Sequence, residues 1–240
     1  MIALAHNRKE MIAQLKNASK VYESPTGKMT VLDDCTLEIN QGELLLIIGP
    51  SGSGKTTLLS LLGCLINPTE GILEIDGKRT NTLSATEMAA IRLKTIGFVF
   101  QQFNLLAPLT AEGNIAFPLK MLGLKAAEIK KRTTEALQKV NMLDHRKKLL
   151  RQLSGGQQQR IAIARALVTD PKIILCDEPT ASLDKDSIYI VMEELKQLAQ
   201  SGKAVAVVTH DPRLASYADR AIEINSGKIS VVQAADAMKH

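Results

Sequence analysis

The chain has 240 residues, 45% of them hydrophobic, with 30 Lys and Arg against 25 Asp and Glu and a formal net charge of +5. That length buries one substantial core and lies near the upper end of single-domain size. The longest apolar stretches, 44–48 and the interrupted run 58–66, fall far short of the roughly 20 residues a spanning helix needs, which argues against self-insertion into a bilayer.

The N-terminus lacks the apolar centre of an export signal, so a cytoplasmic chain is expected, and residues 1–10 read as a frayed leader or as an upstream start. Short strands are expected over 13–21, 31–39, 43–48, 71–75 and 95–99, with Ser24-Pro25-Thr26-Gly27 and Asp76-Gly77 as turns. One helix, 55–64, interrupts them. Helices are expected over 126–142 and 154–168, the second stopping before Asp170-Pro171. The last third alternates: strand 173–176, helix 187–200, strand 204–208, helix 213–218. Apolar runs without period-two alternation, separated by helices, point to an α/β fold with a parallel sheet covered on both faces.

Cys35, Cys64 and Cys176 are odd in number and far apart, which fits reduced core thiols rather than a disulfide framework or zinc site. Residues 120–151 carry ten Lys or Arg against three acids, so one segment holds the basic surplus. It reads as a solvated helical face or as a contact for an anionic membrane surface. Three Tyr, four Phe and no Trp leave few stacking platforms, and no nucleic-acid partner is expected.

Gly49-Pro50-Ser51-Gly52-Ser53-Gly54-Lys55-Thr56 fits G-x-x-x-x-G-K-[ST] in full, between an apolar strand and a Leu-rich helix. Glycines let backbone N–H groups approach phosphate oxygens, and the helix N-terminus adds partial positive charge. Lys55 is expected on the β- and γ-phosphates, Thr56 on Mg²⁺ and Thr57 near the α-phosphate. The second apolar strand ends in Asp177-Glu178, two adjacent carboxylates that are costly to bury unless a cation meets them. Asp177 is therefore assigned to Mg²⁺ and Glu178 to the attacking water. His210 follows the strand 204–208; parallel sheets place ligands at strand carboxyl ends, which favours a γ-phosphate contact.

These residues describe a nucleoside triphosphatase of unspecified kind. Leu153-Ser154-Gly155-Gly156-Gln157, followed by Gln158-Gln159-Arg160, resembles the signature of ABC-type ATPases. The resemblance covers about 13–228 and implies an ATP- and Mg²⁺-dependent P-loop core with an antiparallel β-subdomain and an inserted helical subdomain at about 103–152. It implies further roles: Tyr22 as the ring stacked on adenine, Gln101 in a loop that reaches the metal and the reacting phosphate, and Ser182-Leu183-Asp184 beside the nucleotide. Tyr22 is also the only aromatic upstream of the phosphate loop; a packing role in an edge strand is the alternative.

Ser154 at a helix N-cap with two glycines behind it forms a second anion site. In the family this element meets ATP held by the opposite subunit, so the resemblance implies a head-to-tail homodimer. The runs Val99-Phe100-Gln101-Gln102-Phe103-Asn104-Leu105-Leu106 and 51–59 look most like the MacB, LolD and DevA group. That implies export, efflux or lipoprotein release through a separate membrane permease and periplasmic partners, on the cytoplasmic side of a bacterial inner membrane. A chain ending near residue 240 resembles the LolD or DevA organisation more closely. Gly113 stands directly before Asn114 where relatives usually have Glu, and Cys176 where Ala is frequent. A soluble ABC ATPase acting on a ribosome or DNA complex is the alternative. The apolar stretch 103–118 is expected to help receive the permease.

Overall fold

The computed structural model describes residues 10–25, 27–180 and 185–232, so the expected leader lies outside the described residues except for Glu10, and Ser182-Leu183-Asp184 lies outside them entirely. The N-terminal part is a four-stranded antiparallel sheet. Its long ribbon, β1 (Met11–Ser24) and β2 (Gly27–Asn40), closes through the pair Ser24 and Gly27. β4 (Glu70–Ile75) pairs with β1 and the short β5 (Lys78–Arg79) with β4, giving the order β2-β1-β4-β5. Asp76 and Gly77 turn the last hairpin with φ of 49° and 70°, the two left-handed residues that a tight primed turn demands.

The central sheet has the order β10-β9-β3-β8-β7-β6, with β3 at Leu44–Ile48, β6 at Ile96–Val99, β7 at Ile173–Asp177, β8 at Ala204–Val208, β9 at Arg220–Asn225 and β10 at Lys228–Val232. Five strands run parallel and β10 closes one edge antiparallel to β9. Every residue of β3 and β8 is buried, which is why their sequences show no polar alternation.

Alternate residues of each strand feed opposite cores. Leu45, Ile47, Leu175 and Ala206 pack with Leu58, Leu61 and Leu62 of α1 (Lys55–Leu62) and with the antiparallel sheet. Leu44, Leu46, Ile174 and Val207 pack with Val191, Met192 and Leu195 of α6 (Lys185–Gln200). A third cluster belongs to α3 (Ala111–Met121), α4 (Ala126–Lys139) and α5 (Gly155–Leu167), around Ile115, Leu119, Leu137, Ile161 and Ala164.

Two helices escape the sequence reading, which places a single helix in the first hundred residues. α2 (Ala85–Thr95) has its apolar residues spread around the helix, Met88 and Ile91 buried and Ala89, Ala90 and Leu93 elsewhere, so no clean stripe shows, but its Ser84–Glu87 capping box is complete and is legible as S-x-x-E. α3 carries Gly113 and Pro118, both poor helix formers, and is set by its Thr110 cap and by packing. Residues 213–218 form part of a short 3-10 turn, Pro212–Tyr217, rather than an α-helix. β9 and β10 also go unanticipated. Among the described residues no helix is long and apolar enough to cross a membrane.

Candidate active site

The carboxyl ends of β3, β8, β7 and β6 lie along one edge of the sheet, and the loops that leave them carry the expected chemistry. β3 runs into Gly49–Thr56, β8 into Thr209-His210, β7 into Asp177-Glu178, and β6 is followed by Gln101. Backbone bonds lock the first three together: Thr209 N–H donates to Ile47 O at 3.1 Å and Glu178 N–H to Val208 O at 2.9 Å. Gln101 is exposed on the same side, one strand beyond Glu178.

In the phosphate loop Gly49, Gly52 and Gly54 have φ of 149°, 77° and 110°, values side chains resist. A Cβ on Gly49 would also lie 2.2 Å from Ile224 O. Lys55 Nζ donates to Gly49 O and Pro50 O, both at 2.8 Å, so its ammonium sits over the loop. Ser53 is buried and its hydroxyl has no partner among the described residues, while Ser51 and Thr56 are exposed and Thr57 half-buried beside them. An orphaned hydroxyl beneath a glycine turn and an ammonium suits a polyanion.

Asp177 is half-buried; desolvation, then the neighbouring Glu178, raises its carboxyl above the usual range, while Lys55 pulls it back. Glu178 adopts φ 48°, a left-handed conformation unusual for a branched-out acid, which turns its side chain towards His210. His210 Nδ1–H donates to Glu178 Oε1 at 2.8 Å; the imidazole is exposed and the carboxylate largely buried. Thr56 and Asp177 offer oxygen donors of the hard kind Mg²⁺ prefers. Among the described residues no cluster of three His, Cys, Asp or Glu could hold a metal ion.

Tyr22 lies on β1, partly exposed, with Lys20 Nζ 5.2 Å from its ring centroid. The residue is open enough to solvent for a base to stack on it. The signature segment starts α5: Ser154 Oγ accepts from Gln157 N–H at 3.3 Å, and Ser154 N–H donates to Gln157 Oε1 at 3.0 Å. Gly155 and Gly156 have ordinary helical backbones, and a Cβ on either would meet nothing within 4 Å. Among the described residues no hydrogen bond joins this segment to the Lys55 site of its own chain, and Asp184 lies outside the described residues.

Three polar side chains, Gln159 and Asn114 buried and Arg165 half-buried, went unread in the sequence. Gln159 Nε2 donates to Pro179 O at 3.0 Å, Arg165 donates to Asn104 O at 2.6 Å and Phe103 O at 2.9 Å, and Asn114 accepts from Leu106 N–H at 2.7 Å while donating to Leu106 O and Thr110 O. Gln159 and Arg165 are polar interruptions on the apolar faces of α5, the signal that could have found them. Gly113 tolerates a larger residue poorly, since a Cβ would sit 3.2 Å from Leu109 Cβ.

A family model described as ABC transporter matches residues 32–181. The chain belongs to that family. As an ABC cassette it is an ATP-binding ATPase domain with the α/β P-loop fold. It is 44% identical over 218 residues to the macrolide export ATP-binding/permease protein MacB 1/2 of Paracoccus denitrificans, covering 91% of this chain and 33% of the relative. The chain thus spans about a third of the length of the MacB relatives it matches. An uncharacterized ABC transporter ATP-binding protein, YknY of Bacillus subtilis, is 41% identical, with 90% of this chain and 94% of the relative covered. The dimeric structure of a post-hydrolysis state of the cassette MJ0796 bound to ADP and Pi superposes with a TM-score of 0.87 at 42% identity, covering 93% of this chain and 99% of that one. The cassette cbiO1 of Clostridium perfringens, part of an ABC transporter complex, gives a TM-score of 0.84 at 26% identity over 97% and 92% of the two chains.

Proposed function

We propose that this cassette binds ATP with Mg²⁺ along the carboxyl edge of its sheet, hydrolyses it within a head-to-tail dimer of two copies, and drives a membrane permease from the cytoplasmic side of a bacterial inner membrane. The observation that carries the reading is the convergence of the phosphate loop, Asp177-Glu178 and His210 on one sheet edge, with Glu178 and His210 2.8 Å apart. Lys55, the loop N–H groups, Ser53, Thr56 and Thr57 take the phosphates, and Tyr22 the base. Thr56, Asp177 and Gln101 hold Mg²⁺, which neutralises phosphate charge when bound. Glu178 accepts a proton from the attacking water, and His210, hydrogen-bonded to it, orients that carboxylate and faces the γ-phosphate.

Gly155 and Gly156 support the dimer. Among the described residues nothing lies within 4 Å of an added Cβ at either glycine, so the helix N-terminus is open to close approach by the nucleotide of a second copy. Ser154 and Gln157 complete that surface, with Asp184 assigned beside it. The dimeric structure of the MJ0796 cassette bound to ADP and Pi supports pairing of two copies.

The permease has a matching groove of about 530 Å³ between α2, β6, α3 and α5, where Leu93, Phe100, Phe117, Pro118 and Met121 line the walls and Phe117 and Met121 are exposed. Of the stretch 103–118, Asn104, Phe117 and Pro118 line this groove and Leu106 does not. The work done through the permease is export, efflux or lipoprotein release, with periplasmic partners beyond it; the likeness to a macrolide export protein supports the export reading.

The test is light scattering of wild type and Glu178→Gln with Mg-ATP, alongside phosphate release. A stable ATP-dependent dimer in the mutant, transient in wild type, with hydrolysis lost, is expected. A mutant that hydrolyses ATP at the wild-type rate would refute the assignment of Glu178.

A further inference from the structure

α5 is tethered to two loops of its own subunit as well as carrying the signature at its N-terminus. Gln159, 2% exposed, holds Pro179 O, the carbonyl directly after Glu178. Arg165 holds Phe103 O and Asn104 O, which belong to consecutive left-handed residues, φ 58° and 46°, just beyond Gln101. Arg165 makes no ion pair among the described residues, and burial pulls its guanidinium below the usual arginine range. Its two donors are therefore committed to those carbonyls.

The geometry of the tethers restrains the helix in two ways. Six residues separate Gln159 from Arg165, which is about 9 Å along the axis and about 120° around it. Anchors on different faces oppose both rolling and sliding. Packing closes the remaining freedom: Ile163 and Ala166 join the sheet core, Ile161 and Ala164 the helical lobe. Gly97 lets β6 run against the helix backbone, where a Cβ would lie 2.5 Å from Ala166 O.

We infer that Gln159 and Arg165 are positioning residues, through which α5 holds the Glu178 and Gln101 loops of its own subunit in register with its signature N-terminus. A pull on that N-terminus by nucleotide from the second copy is transmitted to the hydrolytic loop of this one. The inference rests on the hydrolytic role of Glu178 proposed above.

Gln159→Leu keeps shape and removes the donor; Arg165→Met removes the fork and Arg165→Lys keeps its charge. Steady-state ATP hydrolysis, melting temperature and, in a Glu178→Gln background, ATP-dependent dimerisation are measured for each. The expected result for Gln159→Leu and Arg165→Met is a kcat about tenfold lower with KM within about twofold and the dimer retained, the size of one lost hydrogen bond; Arg165→Lys falls between Arg165→Met and wild type. A kcat at the wild-type level in both, or losses of kcat, dimer and melting temperature that run in parallel, would overturn it. Should the buried Gln159→Leu not fold, Arg165→Met against Arg165→Lys decides the matter alone. An inactive Glu178→Gln with fully active α5 variants would sink this inference only; equal activity of Glu178→Gln and wild type would remove the reading of Glu178 and this inference together.

Discussion

Replacing Gly156 with Ala separates what the fold needs from what the reaction needs. Gly156 is the second residue of α5, its backbone is helical, and an added Cβ meets nothing within 4 Å. Alanine in a helix is favoured over glycine by up to about 1 kcal/mol, partly because glycine loses more freedom on folding, and a first-turn position takes roughly half of that. For a chain of this size 1 kcal/mol corresponds to about 2–4 °C, so the melting temperature of the nucleotide-free monomer rises by about 1–2 °C. The same methyl group stands where nucleotide of a second copy must approach, so hydrolysis falls at least about tenfold and the ATP-dependent dimer of Glu178→Gln is lost when Gly156→Ala is added. Differential scanning fluorimetry and phosphate release read the two effects. A lower melting temperature, or hydrolysis unchanged beside the higher one, would refute the reasoning that glycine here serves a neighbour and not the chain.

Gly97→Ala reverses that pattern: its Cβ would lie 2.5 Å from Ala166 O and 3.0 Å from Pro171 Cγ, and overpacking of about 1–3 kcal/mol should lower the melting temperature by several degrees. Phe117→Asp, on the exposed wall of the groove, should leave ATP binding and basal hydrolysis within about twofold while abolishing stimulation by the cognate permease in proteoliposomes. Asp211 accepts from Arg213 N–H, Nε and Nη2, and the guanidinium hydrogen bonds hold its carboxyl below the ordinary value of 3.8. Its contribution is present above that value and lost as pH falls through the depressed one. Because Arg213 is exposed, Asp211→Asn should cost no more than about 1 kcal/mol at pH 7, and the gap in melting temperature should close below about pH 4.

The buried strands were readable because β3, β7 and β8 are apolar throughout, and the phosphate loop because glycine spacing and Lys55-Thr56 leave few other uses. Asp177-Glu178 was legible as two carboxylates after an apolar strand that need a cation, and His210 by the rule that parallel strands present ligands at their carboxyl ends. What bound Glu178 to His210 was not readable, since it depends on a left-handed backbone at Glu178 that no local preference announces. α2 hid because its apolar residues are spread around the helix and draw no single stripe, and α3 because Gly113 and Pro118 argue against a helix that Thr110 and the Asn114 hydrogen bonds nevertheless support. Gln159 and Arg165 act through carbonyls distant in sequence, so their roles emerge only in three dimensions.

The three thiols lend themselves to a practical use. Cys35, Cys64 and Cys176 are all buried and free, and burial raises each of them, Cys64 to about 11. At neutral pH such sulfurs carry almost no thiolate and face no solvent, so maleimides pass them by. The native chain is therefore chemically silent on its surface. A single cysteine introduced at an exposed position such as Tyr189 or Val231 can carry a fluorophore or spin label without first removing the native ones. Distances between labelled copies could then be followed through a turnover in otherwise unaltered protein.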